Sequence, residues 1–339
     1  MKVDAPLTSD MEAAGAGARR LEELGYDGAK VAETNHDPFL PLTLAAAATE
    51  RIELVTSVAV AFARSPMTLA QTAHDLNAFA GGRLVLGLGS QVRPHIERRF
   101  AMPWGKPAAR MREFISAMRA IFACWHEGER LDFRGEFYTH TLMPATFTPR
   151  NTGAGRPRII LSATGPLMTQ VAAEVADGMM MHPFSTEAYM REVTLPAIEK
   201  GLAAAGRRRE DFVLDYAPMV ATGTDEEAAL RAKEAVRERI AFYARTVAYR
   251  PVLDLHGWGW LQDELIARRE QGERQPTLTD AVPDEVVDAI AVAGEPDAVV
   301  AGLRKRLGGV IDRTGFHVAG LAEEETARLV AELKKDSAA

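Results

Sequence analysis

Two short polar stretches of this chain bring acid, base and hydroxyl groups close enough together to do chemistry. The first, Glu33-Thr34-Asn35-His36-Asp37-Pro38, sets two carboxylates, an imidazole, an amide and a hydroxyl in five positions before a proline. Glu33 and His36 can move protons or orient a substrate, while Asn35 and Asp37 equally suit a turn ahead of Pro38. The second, Ser162-Ala163-Thr164-Gly165-Pro166, offers hydroxyls and an unhindered backbone N–H just before a helical stretch. A phosphate is held by such groups, and a plain helix cap uses the same residue types. Between them lie Gly87-Leu88-Gly89-Ser90-Gln91 and a basic run, Arg93-Pro94-His95-Ile96-Glu97-Arg98-Arg99. Strand-then-Gly-x-Gly starts a dinucleotide fingerprint, but Val92 stands where the third glycine belongs and the motif is mid-chain. Close approach of backbone to a planar cofactor is the better use of Gly87 and Gly89. The basic run suits an anionic tail or phosphate, or a solvated surface. Three ring side chains, His182, Trp258 and Trp260, can line a pocket or simply pack.

Several chemistries are excluded by what is missing. The single cysteine, Cys124, forms no intramolecular disulfide and no cysteine metal cluster. No two histidines stand at i, i+4, and His95-Ile96-Glu97 lacks the cysteine pair of a zinc deaminase. No metal site is expected. Gly-x-Ser-x-Gly and Walker loops are also absent.

The elements that must position these groups follow a regular pattern. Short apolar runs span Lys2 to Leu7, Gly28 to Glu33, Ile52 to Ala59, Gly82 to Gly89, Pro157 to Ala163, Gly178 to His182, Phe212 to Thr222 and Thr314 to Gly320. Helical periods fill the gaps, with Ser9…Glu12 and Thr224…Glu227 reading as capping boxes. Several strands are apolar at consecutive positions, as when both faces are covered. Eight β-then-α units predict a (β/α)8 TIM barrel over residues 1–339, with active groups at the strand C-termini. Two stretches break the repeat: a β-ribbon and loop over about 133–155, and an excursion over about 250–283.

Composition agrees with a folded globular protein. The 339 residues are 47% hydrophobic and 26% charged, which rules out wholesale disorder. Forty basic against forty-seven acidic residues give a net charge of -7, without the overall electrostatic footprint of a nucleic-acid binder. No apolar run approaches the ~20 residues of a membrane span, and the N-terminus lacks a signal-peptide core. The expectation is a cytoplasmic protein with no membrane partner; a homodimer stays open.

The motifs together resemble the luciferase-like flavin oxidoreductases, and among them the branch that uses the 5-deazaflavin coenzyme F420. The pieces that carry the resemblance are Leu24-Gly25-Tyr26-Asp27-Gly28, Leu44 through Ile52, Ala80 through Gly89, and Ala172-Ala173-Glu174-Val175-Ala176-Asp177-Gly178. The resemblance implies a bacterial luciferase-like TIM barrel with insertions and the flavin ring at its C-terminal mouth. It implies an acid ending strand two, matched by Glu33, although Thr34 stands at the usual histidine and His36 lies two positions on. It implies a cis non-prolyl peptide behind the ring, matched by Thr56-Ser57-Val58, and a phosphate loop matched by Ala163-Thr164-Gly165. The expected activity is hydride transfer between F420 and a small organic substrate, with Arg93, Arg98 and Arg99 toward the cofactor tail. The alternatives are an FMN-dependent two-component monooxygenase of the same superfamily and a non-catalytic flavin carrier.

Overall fold

Eight short parallel strands form the frame of the computed structural model, which describes residues 1–274 and 277–335. They are β1 (Lys2–Pro6), β2 (Gly28–Val31), β3 (Glu53–Thr56), β4 (Leu84–Gly89), β5 (Arg158–Ala163), β6 (Gly178–Met181), β7 (Val213–Tyr216) and β8 (Arg313–Gly315). Each pairs with the next, and β8 pairs with β1, so the sheet closes on itself. This is the (β/α)8 barrel that the alternation of elements predicts.

Helices α1 (Met11–Glu23), α2 (Phe39–Ala48), α3 (Pro66–Phe79), α4 (Pro107–Glu127), α5 (Pro166–Val175), α6 (Leu195–Ala204) and α7 (Glu226–Ala244) wrap the strands. Both expected capping boxes shift by one residue. Asp10 caps α1 by accepting from the Glu12 N–H, and Asp225 caps α7 by accepting from Ala228 N–H. A carboxylate is favoured over a hydroxyl there because the helix N-terminus is electropositive.

Two expected strands are broken, each for a local reason. The third halts at a cis Ser57–Val58 peptide and resumes as the two-residue strand Ala59–Val60 against β4. The seventh leaves the barrel after Tyr216; past Pro218, which has no N–H to donate, Met219–Ala221 pairs instead with Ala291–Ala293. That outer pair, α7 and the helices Arg250–Leu255 and Gly259–Glu270 share a second apolar cluster, built on Phe184, Ile240, Leu253 and Leu265. The excursion over 250–283 is thus packed down; its residues 275 and 276, like 336–339 at the C-terminus, lie outside the described residues. The ribbon before β5 is present as Phe133–Arg134 paired with Thr139–His140.

Inside the barrel the two halves differ. Strands β3 to β6 contribute Val55, Val85, Ile160 and Met180, a small apolar cluster. Strands β1, β2, β7 and β8 contribute Asp4, Lys30, Asp215 and Arg313, charges buried almost completely. Arg313 grips Asp4 through Nε and Nη2, and its Nη1 donates to Glu53 at 2.5 Å. Gly28 makes room for this pair: a Cβ there would overlap the Arg313 guanidinium and the Asp4 carboxylate. Gly28→Ala is therefore expected to destabilise the fold by about 1–3 kcal/mol, the usual cost of overpacking. Urea unfolding measures it, and a stability equal to the parent's would contradict this placement of the ion pair.

Candidate functional site

A cavity of about 640 Å³ opens where the strands end, within the usual range for small-molecule sites. Its floor on one side is the charged half of the barrel. Lys30 Nζ donates to Asp215 at 2.7 and 2.9 Å and lies 3.0 Å from Asp4 Oδ2. Burial alone would push the Lys30 pKa down; Asp215 and Asp4 outweigh it and hold the pKa above its ordinary value. The ammonium thus stays charged at neutral pH. Its three N–H groups lie among three carboxylate oxygens, and the side chain lines the cavity.

The other side of the floor is apolar, and the cis Ser57–Val58 peptide forms its back wall. Ser57 Oγ lies 3.3 Å from Met180 Sδ. Gly87 and Gly89 serve this wall rather than offering their own backbone to a ligand. A Cβ at Gly87 would overlap the Thr56 carbonyl, and one at Gly89 would come within 2.6 Å of Val58 Cγ2. Their missing side chains let the bulge fold inward.

Glu33 holds the same bulge from behind. Its Oε2 accepts from the Val60 N–H at 2.7 Å and pairs with Arg64 at 2.6 Å, and its backbone N–H donates to the Val58 carbonyl. Strand alternation explains this: Lys30 and Ala32 face the cavity, so Glu33 faces away. Arg64 also reaches Asp37 at 2.8 Å, so the acidic loop clamps the wall.

The wall opposite is aromatic and basic. His182 is sandwiched: its ring stacks on Tyr249 at 4.3 Å and meets Tyr243 edge-on at 4.6 Å. Its Nδ1 accepts from the Phe184 N–H, so the ring proton sits on Nε2. Burial, helped by the nearby Arg239 charge, pushes the His182 pKa down to about 4. His182 is a neutral hydrogen-bond donor at physiological pH. Beyond it, Thr164 and Gly165 lead into α5. Gly165 takes φ +75°, a conformation that favours glycine. No side chain caps this helix, and past Pro166, which has no N–H, its next N–H groups are left for an anion.

The profile of the luciferase-like monooxygenase family matches residues 3–313. The chain belongs to that family. Among curated relatives, an uncharacterized protein of Mycobacterium tuberculosis is 47% identical over 92% of both chains. The 5,10-methylenetetrahydromethanopterin reductase of Archaeoglobus fulgidus is 31% identical, covering 82% of this chain and 81% of that one. Among solved structures, the coenzyme F420-dependent tetrahydromethanopterin reductase of Methanopyrus kandleri superposes with a TM-score of 0.77 at 21% identity, over 97% and 96% of the two chains.

In this luciferase-like barrel, Ser57, Val58, Ser162 and His182 line the main cavity, and Ala163, Thr164 and Gly165 line a small pocket beside it. Other sequence candidates stand elsewhere. His36 is exposed and outside both linings. The basic run forms a short helix, Arg93–Arg98. Within it Arg93 is neutralised by Glu97 one turn on, and Arg99 donates to the Thr34 carbonyl. Arg98 and His95 remain exposed with no side-chain partner among the described residues. Trp258 stacks on His256 at 4.3 Å, and His256 Nε2 meets Thr186 Oγ1 at 2.8 Å, which pins the excursion to the loop after β6. Trp260 is exposed. Neither tryptophan lines the cavity.

The residues that sequence reading passed over are Asp4, Lys30, Asp215, Arg239, Tyr243 and His317, all in the lining. A signal for the first three existed. A charge in the middle of a strand covered on both faces has nowhere to go but the barrel interior.

His182 also makes a pH prediction. Its pKa is about 4 in the folded protein against an ordinary 6.5. The unfolded chain therefore binds a proton that the folded one refuses, and stability falls as pH drops from 6.5 toward 4, by up to about 3 kcal/mol. Glu53 acts lower: burial would raise it, but Arg313, Lys2 and Arg158 hold it at about 2, so its contribution fades below 4.5. In His182→Asn the amide oxygen still accepts from Phe184 but does not titrate. That variant should lose visibly less stability between pH 6.5 and 4 in urea unfolding; an unchanged pH profile would contradict the assignment.

Proposed function

We propose that this protein is an oxidoreductase that moves a hydride between coenzyme F420 and a small organic substrate. One observation carries the reading: a cavity floored on one side by the apolar cis bulge runs beside an uncapped helix N-terminus at Gly165. A planar ring fits the first and a phosphate the second. A putative coenzyme F420-dependent oxidoreductase of Mycobacterium tuberculosis, 31% identical over 82% of this chain, supports the deazaflavin over FMN. The exposed Arg98 and His95 suit the acidic tail.

In this reading Ser57 and Val58 back the ring, and Thr164, Gly165 and the first turn of α5 receive the phosphate. When bound, the deazaflavin supplies or accepts the hydride. The chain's own work is positioning, exclusion of water and management of a proton. Lys30 holds that proton at Nζ, on the cavity floor, and Asp4 and Asp215 fix the ammonium in place. Glu33 and His36, the sequence candidates for proton transfer, do not reach the cavity; Glu33 instead shapes its wall.

Titration of the purified protein with F420 and with FMN, followed by turnover of small carbonyl and alcohol substrates, tests the reading. F420 is expected to bind in preference, with an affinity that falls as salt rises. Tight FMN binding without F420 affinity would favour the monooxygenase instead, and a flavin bound without any turnover would favour a carrier. The double variant Lys30→Met/Asp215→Asn keeps the buried cluster balanced. It should retain cofactor affinity while turnover drops by ~10²-fold, the scale of general acid–base work. Undiminished turnover would remove Lys30 from the mechanism.

A further inference from the structure

One cation on the cavity wall has no partner of its own. The lining contains two carboxylates, Asp4 and Asp215, and both are engaged by Arg313 and Lys30 on the floor. One more cation, Arg239, lines the same cavity from α7. Every other basic residue of that helix is paired: Arg231 with Glu227, Lys233 with Asp284, and Arg237 with Glu234 and Asp284. Of the helix's four basic side chains, only that of Arg239 makes no ion pair or hydrogen bond with any described residue. Arg239 is exposed to solvent at this cavity, so its guanidinium is free to meet an anion that enters.

The surroundings match an oxyanion. Tyr243 lies four residues along α7, so it shares a helix face with Arg239, and it lines the cavity too. His182 meets Tyr243 edge-on at 4.6 Å and carries its proton on Nε2. Arg239, Tyr243 and His182 thus line one cavity, and Arg239 is near enough to His182 for its charge to act on the ring. Guanidinium fits carboxylate or phosphate in a two-point contact that a lysine does not reproduce.

We propose that Arg239, with Tyr243 and His182, forms an oxyanion-binding subsite, and that the substrate is a small molecule bearing a carboxylate or phosphate. The subsite stands on the cavity lining alone; its assignment to the substrate rests on the deazaflavin reading above. With the ring against Ser57–Val58 and the oxyanion at Arg239, the reacting carbon lies over the charged half of the floor, beside Lys30.

The test titrates inorganic phosphate, and separately malonate, into the protein with and without saturating F420, read by thermal shift and calorimetry. Saturable binding of at least one anion is expected, and it should persist when F420 is bound. Arg239→Met should weaken it at least ~10-fold and Arg239→Lys by less. Arg130→Glu, at an exposed arginine in the loop after α4, should leave it unchanged. Equal affinity in Arg239→Met, or no saturable binding, would overturn the subsite. Loss of anion binding on adding F420 would overturn the substrate assignment, because the anion would then have occupied the cofactor's place. If F420 does not bind at all, the proposed function falls, and the titration without cofactor still decides whether Arg239 binds an anion.

Discussion

The arrangement of the barrel depends on one buried interaction, the chain of charges Arg313–Asp4–Lys30–Asp215. Four ions on four adjacent strands, β8, β1, β2 and β7, neutralise one another almost out of contact with water. Such pairs add little net stability over an apolar core, but removing one member leaves an uncompensated charge and costs about 3–5 kcal/mol. The network is therefore difficult to alter one residue at a time. It also accounts for Gly28, whose missing side chain is the space that Arg313 and Asp4 occupy.

Because one half of the interior is ionic, the other half must fill the barrel with apolar volume, and Val55, Val85, Ile160 and Met180 do so. That division is carried up into the cavity. Above the apolar half sits the bulge at Ser57–Val58, admitted by Gly87 and Gly89 and braced by Glu33 and Arg64. Above the ionic half sit Lys30 and the wall of His182, Tyr243 and Arg239. In the proposed function the planar cofactor takes the first surface and the polar substrate the second. The excursion carrying Trp258 contributes indirectly, by fixing the loop after β6 through His256 and Thr186.

Much of the barrel was legible because parallel strands covered on both faces leave consecutive apolar runs, and all eight runs became strands. The cis bulge and the Thr164–Gly165 loop were legible through motif resemblance. The facing of individual side chains was less so. Glu33 looked catalytic by type, but strand parity turns it outward onto Val60 and Arg64. Gly87 and Gly89 looked like a cofactor floor, yet the groups that approach them are Thr56 and Val58 of the neighbouring strand. Pairings such as Lys30 with Asp215 join residues 185 positions apart, and only closure of the barrel brings them together. Arg239 sits on a helix that sequence reading noted only for its capping box. Its lack of a partner is visible only once Arg231, Lys233 and Arg237 have found theirs.

The central claim is that the split floor assigns one side to the cofactor ring and the other to the substrate. A crystal structure of the F420-loaded protein tests it most directly. The account predicts the ring packed against Ser57–Val58, the phosphate at Thr164–Gly165, and the exposed ring face turned toward an intact Lys30–Asp215 pair. A ring seated over Lys30 and Asp215, or a phosphate held by Arg239 instead of the α5 N-terminus, would contradict it.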